Sequence, residues 1–399
     1  MRGVPFGVLA SFILVAICTT AAASPPVSPR VDYVDPLPDQ PQKGDPATIL
    51  YDDFDQGNPI DRYYEYNDNN GDFIPADYEK FGSRGRAMRA RFQKGEVGAG
   101  VLMTFFGDNP AVEAGKANLA PRRGERFNEV YWRFLLKHQR GWQGSPAKLS
   151  RATVIASPNW AQAAIAHHWA KGDYLTLDPA SGIRLASNPG EKDTLVTTKY
   201  NDFPNLRWHG GNTPVGKFPI FSTAESAHWV TVECCFRLNT PGKSDGEFTA
   251  WIDGKEDCAR RNLNWTGTWN AYGINALFLE NYWNQGSLKE QERYFDNYVI
   301  ATKPVGPMVV PLEPTIVKTA FEDPDPADKQ SAWQVRIASD PEGKNVAWDS
   351  GTISSDGNSC VAKGLKPDAA YWTSLRQCDS GGEWSDWSPW HGWFRTAAQ

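Results

Sequence analysis

The chain has 399 residues and a mass of 44.4 kDa, with 40% hydrophobic and 22% charged residues, the composition of a folded protein with a sizeable core. Lys plus Arg number 41 against 47 Asp plus Glu, a formal charge of −6, which argues against the clustered basic excess of a nucleic-acid binder. Seventeen Trp, 14 Tyr and 19 Phe beside 35 Gly and 29 Pro point to an all-β, turn-rich chain.

In chain order, residues 1–23 read as a secretory signal peptide. Arg2 is its single charge, Val4 to Ile17 its apolar stretch, and Ala21-Ala22-Ala23 its small-residue cleavage site. The expected localisation is therefore secreted, extracellular or periplasmic. No later stretch reaches the roughly 18 apolar residues a spanning helix needs, so no membrane insertion is expected. Residues 24–47 carry seven prolines and read as an extended linker.

From Ile49 onward the text becomes short strands separated by Gly, Asn and Asp. Val130–Lys137 alternates, with Val130, Trp132, Phe134 and Leu136 on one face and Tyr131 and Arg133 on the other. Trp229–Leu238 alternates likewise, and Glu247–Asp253 leads into Asp253-Gly254, a two-residue hairpin signal. Further strands are predicted at Gln162–His168, Ile274–Tyr282 and Tyr294–Ala301. The Pro-rich 305–314 stretch predicts a boundary, with 309–313 as linker and 314–399 as a small β-sandwich.

Five cysteines follow the signal. Cys360 and Cys378 share the last segment and are expected to form a disulfide. Cys234 and Cys235 are adjacent on one strand and point to opposite faces, so at most one meets Cys258. No Cys/His spacing of a metal cluster occurs.

The last segment resembles a fibronectin type III domain. The resemblance rests on GLKPDAAY before a Tyr-bearing strand, the Trp384-Ser385-Asp386-Trp387-Ser388 pattern and a closing Phe394-Arg395-Thr396. Arg376 is placed to stack between those Trp rings as a fold-stabilising ladder.

Residues 48–308 resemble the concanavalin-A-like jelly roll of bacterial polysaccharide lyases of the alginate and glucuronan type. The opening YDDFDQG, the closing RYFDNYVIATKPVG and the interior WVTVECCFRLNTPGKSDGEFTAWIDGKE carry that resemblance. It implies a two-sheet jelly-roll sandwich and, at the meeting of first and last strands, a structural Ca²⁺ bound by Asp53 and Asp296. No organic cofactor is expected.

Several chemistries are excluded. The E-x-D-x-x-E strand of jelly-roll hydrolases is absent, as are H-E-x-x-H, G-x-S-x-G and a P-loop. His, Tyr, Arg, Lys and Gln remain, a set suited to β-elimination from a uronate. That reaction needs a group to neutralise the sugar carboxylate, a base for the neighbouring C–H and an acid for the leaving oxygen.

If Ile165 points into the core, Gln162 and His168 share the opposite face, and His167 becomes the core-side histidine. The strand is similar to the Q-x-H strand of alginate lyases at a different spacing. Leu277–Gln285 echoes the Tyr-bearing strand of those lyases, with Phe278, Glu280 and Tyr282 facing outward. The candidate catalytic set is His168 as base, Tyr282 as acid, and Arg133 and Gln162 gripping the carboxylate. Tyr131, Lys148, Arg151, Trp208, His209 and Glu280 are candidate substrate contacts. Purely structural roles stay open for all of these.

Two readings stand: a monomeric lyase acting on an anionic, uronate-containing polysaccharide, and a non-catalytic carbohydrate-binding protein with a fibronectin type III spacer.

Overall fold

The computed structural model describes residues 27–398; the expected signal peptide, 1–23, lies outside them. Nearly all regular structure is β, and among the described residues no helix is long and apolar enough to cross a membrane.

The main body is a sandwich of two antiparallel sheets. One has seven strands in the order Arg207–Trp208, Tyr174–Ser181, Gln162–Lys171, Lys148–Ile155, Ala276–Tyr282, Gly98–Phe105 and Glu65–Asn67. The other has eight and is centred on Trp229–Arg237, Glu129–His138 and Gln291–Ala301. Alternation fixes the shared core: Val130, Trp132, Phe134 and Leu136 from one sheet meet Ala164, Ala166, Leu277 and Leu279 from the other. The Asp253-Gly254 turn joins Gly246–Ile252 to Lys255–Leu263. Both its residues have positive φ, 47° and 74°, as a tight two-residue hairpin requires.

The C-terminal body is a smaller sandwich of a five-stranded and a three-stranded sheet. The expected ladder is present: the Arg376 guanidinium lies 4.4 Å from the Trp384 ring and 4.8 Å from Trp387, and Arg336 lies 4.1 Å from the far side of the array at Trp387.

Two segments read as linkers are strands instead. Val31–Val34, within 24–47, pairs with Thr315–Lys318 and so completes the three-stranded sheet. Met308–Val310 runs parallel to His391–Thr396 and borders the five-stranded sheet. Proline density predicts extended backbone, and extended backbone is equally what an edge strand uses. The chain thus enters the small sandwich, crosses into the large one and returns. The junction is polar and buried: Lys137 bonds Asp32 and Glu79 at 2.9 Å, Arg30 clasps Glu225, and His391 Nδ1 meets Asp253 Oδ2 at 2.6 Å.

The expected Cys360–Cys378 disulfide is not formed, and all five described cysteines are free thiols. Cys360 packs against the small core from the three-stranded sheet, whereas Cys378 shares the Arg376 face of its strand and is not part of that core, so the two thiols are not brought together. Cys234 and Cys258 share the core with Ala250 between their strands, so they too remain unbridged.

Candidate functional site

The outward face of the seven-stranded sheet gathers the polar and aromatic groups. Register sets them in rows. Trp169 lies opposite Lys148, which lies opposite Tyr282; His167 lies opposite Arg151, which lies opposite Phe278. Glu280 stands between the rows on the Ala276–Tyr282 strand, so the expected outward parity of Phe278, Glu280 and Tyr282 is what the sheet displays.

Arg151 is the centre of the array. It is 1% exposed, and its guanidinium donates to Glu280 Oε1 at 2.9 Å, to Asn201 Oδ1 at 3.0 Å and to the Tyr200 hydroxyl. An unpaired buried guanidinium costs several kcal/mol, so Glu280 is its counter-ion, and the pair is close to neutral. Lys148 makes no ion pair among the described residues; its ammonium lies 4.4 Å from the Tyr282 ring centroid. Burial lowers the Lys148 pKa, partly opposed by Glu280.

His167 Nδ1 is 2.9 Å from the Asp178 carbonyl, which only accepts, so Nδ1 carries the proton and Nε2 keeps a lone pair. Burial and then Arg151 push its pKa well below the ordinary histidine value, leaving it neutral. Its ring packs 4.2 Å from Trp169 and 5.5 Å from Trp208. Arg151 Nε, Glu280 Oε2, His167 Nε2 and Trp169 Nε1 are buried without a hydrogen-bond partner among the described residues. Most buried polar groups are satisfied, so four orphans in one patch mark a place built for a further polar group.

The parity of the Gln162–Lys171 strand is the reverse of the sequence expectation. Ala164 and Ala166 face the core and Ile165 faces out beneath Leu206, which sends His167 outward and His168 inward. His168 is fully buried, with Nδ1 3.4 Å from both Ser150 Oγ and Cys234 Sγ, and burial drives its pKa down to about 3. Gln162, at a register shift, accepts from Asn201 N at 2.8 Å and donates to Thr153 at 3.3 Å, so it seats the Tyr200–Asn201 segment.

Arg133 and Tyr131 do not join the array, because they belong to the other sheet. Arg133 is buried beneath the segment around Gly306, donating to the Gly306 carbonyl at 2.9 Å, and desolvation takes its pKa down to about 10. Tyr131 donates to Glu129 at 2.8 Å. Trp208 does border the array, 38% exposed and stacked on Phe203 at 6.2 Å. His209 turns away toward Trp265, and burial, with Arg207 and Arg260, lowers its pKa to about 4.

Asp53 and Asp296 line one cavity of about 150 Å³ with Asp35 and Asp55. Asp296 accepts from Phe81 N at 2.9 Å and Asn297 N at 2.7 Å; burial raises its pKa, and Asp55 and Asp53 add to the rise. The donors are the hard oxygens Ca²⁺ prefers, but among the described residues no three acidic, His or Cys side chains converge on one point. The cavity therefore does not supply an all-protein cage.

Sequence reasoning missed His167 as the outward imidazole, Trp169 beside it, and Tyr200 and Asn201. The histidines carried a signal that strand parity inverted. The Tyr200–Asn201 segment lies far along the chain from Arg151 and has no local signal.

Residues 319–398 match the family described as Rha78A-like, N-terminal immunoglobulin domain, where the sequence patterns resembled fibronectin type III. No curated protein matches the chain. Among solved structures, the chain is similar to the endo-β-1,4-glucuronan lyase of the fungus Trichoderma reesei, with 13% identity, 64% of this chain and 96% of that one covered, and a TM-score of 0.39. It is similar to a marine alginate lyase from Aplysia kurodai, with 11% identity, 64% and 99% covered, and a TM-score of 0.38. It is also similar to a GlcNAcα1-4Gal-releasing endo-β-galactosidase from Clostridium perfringens, with 10% identity, 87% and 81% covered, and a TM-score of 0.37. Likeness of this size carries no argument about activity.

Proposed function

We propose that the protein is an exported, monomeric polysaccharide lyase that cleaves an anionic, uronate-containing glycan by β-elimination on the outer face of the seven-stranded sheet. The observation that carries this reading is the juxtaposition, on that face, of an ammonium outside any ion pair among the described residues, a phenol and an imidazole with a free Nε2 lone pair.

Arg151 is answered by Glu280, so Lys148 is the cation left to neutralise a substrate carboxylate. Neutralisation acidifies the adjacent C–H. His167 Nε2 takes that proton, the freed electron pair forms the C=C bond, the glycosidic C–O bond breaks, and the Tyr282 hydroxyl protonates the leaving oxygen. Arg151, Gln162 and Glu280 position this set. A structural Ca²⁺ beside Asp53 and Asp296, completed by water, belongs to the same reading, which requires no organic cofactor.

The test is ultraviolet absorbance of the unsaturated product on alginate, glucuronan, pectate and glycosaminoglycans. Wild type is expected to raise absorbance on one of them, and Tyr282→Phe and Lys148→Met to abolish the rise. Silence on every polymer would discard the lyase reading. A carbohydrate-binding role without catalysis is favoured by one observation: Trp208 and Phe203, 38% and 45% exposed, form an open stacked surface while Arg151 and His167 are covered. Tight binding with no absorbance rise would establish it.

A further inference from the structure

At one end of the large sandwich, away from the array just described, a groove of about 360 Å³ opens between the segment before Glu129–His138, the end of Trp229–Arg237 and the loop 264–272. It shares no lining residue with the outer-face array. Its wall is an aromatic pair, Trp269 and Tyr272, with ring centroids 6.4 Å apart, each half-buried against the core and open on its other side. Its rim is rigid: Asn239 donates to the carbonyls of Thr240 and Gly267 and accepts from Thr266 N, which ties the turn after Trp229–Arg237 to the 264–272 loop.

The charge in the groove is unbalanced. Glu129 is engaged by the Tyr131 hydroxyl and by Arg237. The hydrogen-bond partners of Arg126 among the described residues are all neutral: Asn128 Oδ1 at 3.4 Å and the carbonyls of Asn270 and Tyr272. Asp108, which senses the Arg126 charge, spends its oxygens on Gly273 N. A guanidinium held by neutral acceptors beside an aromatic wall has the groups an acidic sugar requires. The rings take the apolar C–H face of a pyranose, the fork takes a carboxylate, and the Asn128 and Asn270 side chains meet hydroxyls.

We propose that this groove is a second, non-catalytic glycan-binding site that takes an acidic sugar unit, with its ring on Trp269 and Tyr272 and its carboxylate on Arg126. Two separated sites on one chain hold a polymer more tightly than either alone. The site stands whether or not the outer-face array is catalytic.

Isothermal titration with tetrasaccharides of glucuronan, alginate and galacturonan, and with neutral cellotetraose, tests it on the full chain carrying Tyr282→Phe. Binding to an acidic member is expected to lose one equivalent per chain, or to weaken roughly tenfold at that site, in both Arg126→Gln and Trp269→Ala. Arg126 is exposed, so its variant folds even if removing Trp269 loosens the core. Unchanged stoichiometry and affinity in Arg126→Gln overturns the proposal. Binding to no tetrasaccharide, or cellotetraose binding as tight as any acidic member, overturns it too. Acidic binding lost in Arg126→Gln while wild type produces no absorbance rise supports this site and discards only the lyase reading.

Discussion

Lys148 and Tyr282 are register partners on adjacent strands, and the ammonium sits 4.4 Å from the centre of the phenol ring. The contact places a cation against the face of the phenol, and Tyr282 is 39% exposed, so its ring also reaches solvent. Tyr282→Phe keeps the ring and removes only the hydroxyl. Its turnover is expected to fall by about 10²–10⁴ with an unchanged melting temperature. A variant retaining full rate would remove Tyr282 from the chemistry.

His167→Ala is expected to lose activity, whereas His168→Gln is expected to lose stability and keep its rate per folded molecule. The distinction follows from parity: His167 faces the array and His168 faces Cys234. Rates normalised to the folded fraction separate the two. The opposite pattern would return the catalytic role to His168.

The pH dependence of stability carries the same signature. His168 has a folded pKa of about 3, lowered by burial, against an ordinary value near 6.5 in the unfolded chain. A depressed histidine contributes its full share above the unfolded value. That share is lost as pH falls from 6.5 toward 3, because the unfolded state takes up the proton first. The stability advantage of wild type over His168→Gln should therefore shrink below pH 6.5, by at most about 1.4 kcal/mol per pH unit. Denaturant titrations at pH 7, 6 and 5 measure it. A constant difference would mean that His168 takes up its proton as readily in the folded protein as in the unfolded chain.

Cleavage within 305–313 should leave the two sandwiches associated on a native gel. Val31–Val34 stays paired to Thr315–Lys318, and the Lys137–Asp32 and His391–Asp253 contacts remain closed. Fragments that separate without denaturant would show that the strand exchange contributes little.

Reducing agent should leave the melting temperature unchanged, since no described cysteine is bridged. A Ca²⁺ ion beside Asp53 and Asp296 would relieve the repulsion that helps to raise the Asp296 pKa. Added Ca²⁺ should then raise the melting temperature and chelator should lower it. Insensitivity to both would discard the ion.

The sequence by itself determined the class of fold and much of its grammar. Alternation in Val130–Lys137 named the core face because one side is uniformly apolar, and Asp253-Gly254 named its hairpin because few residue pairs accept two positive φ angles. The Trp384 to Ser388 pattern named the Arg376 ladder for a similar reason: the interacting groups lie close along the chain. Tertiary structure decided what local pattern could not. Gln162–His168 is buried on both faces, with Ala164 and Ala166 against the core and Ile165 beneath Leu206. Alternation therefore contained no information about which histidine faces out. Arg133 read as a polar-face residue, but the chain returns around Gly306 to bury it, and Val31–Val34 finds its partner in Thr315–Lys318, beyond the whole large sandwich. Contacts across such separations depend on how the sheets close, and the strand period, which repeats every two residues, carries no record of them.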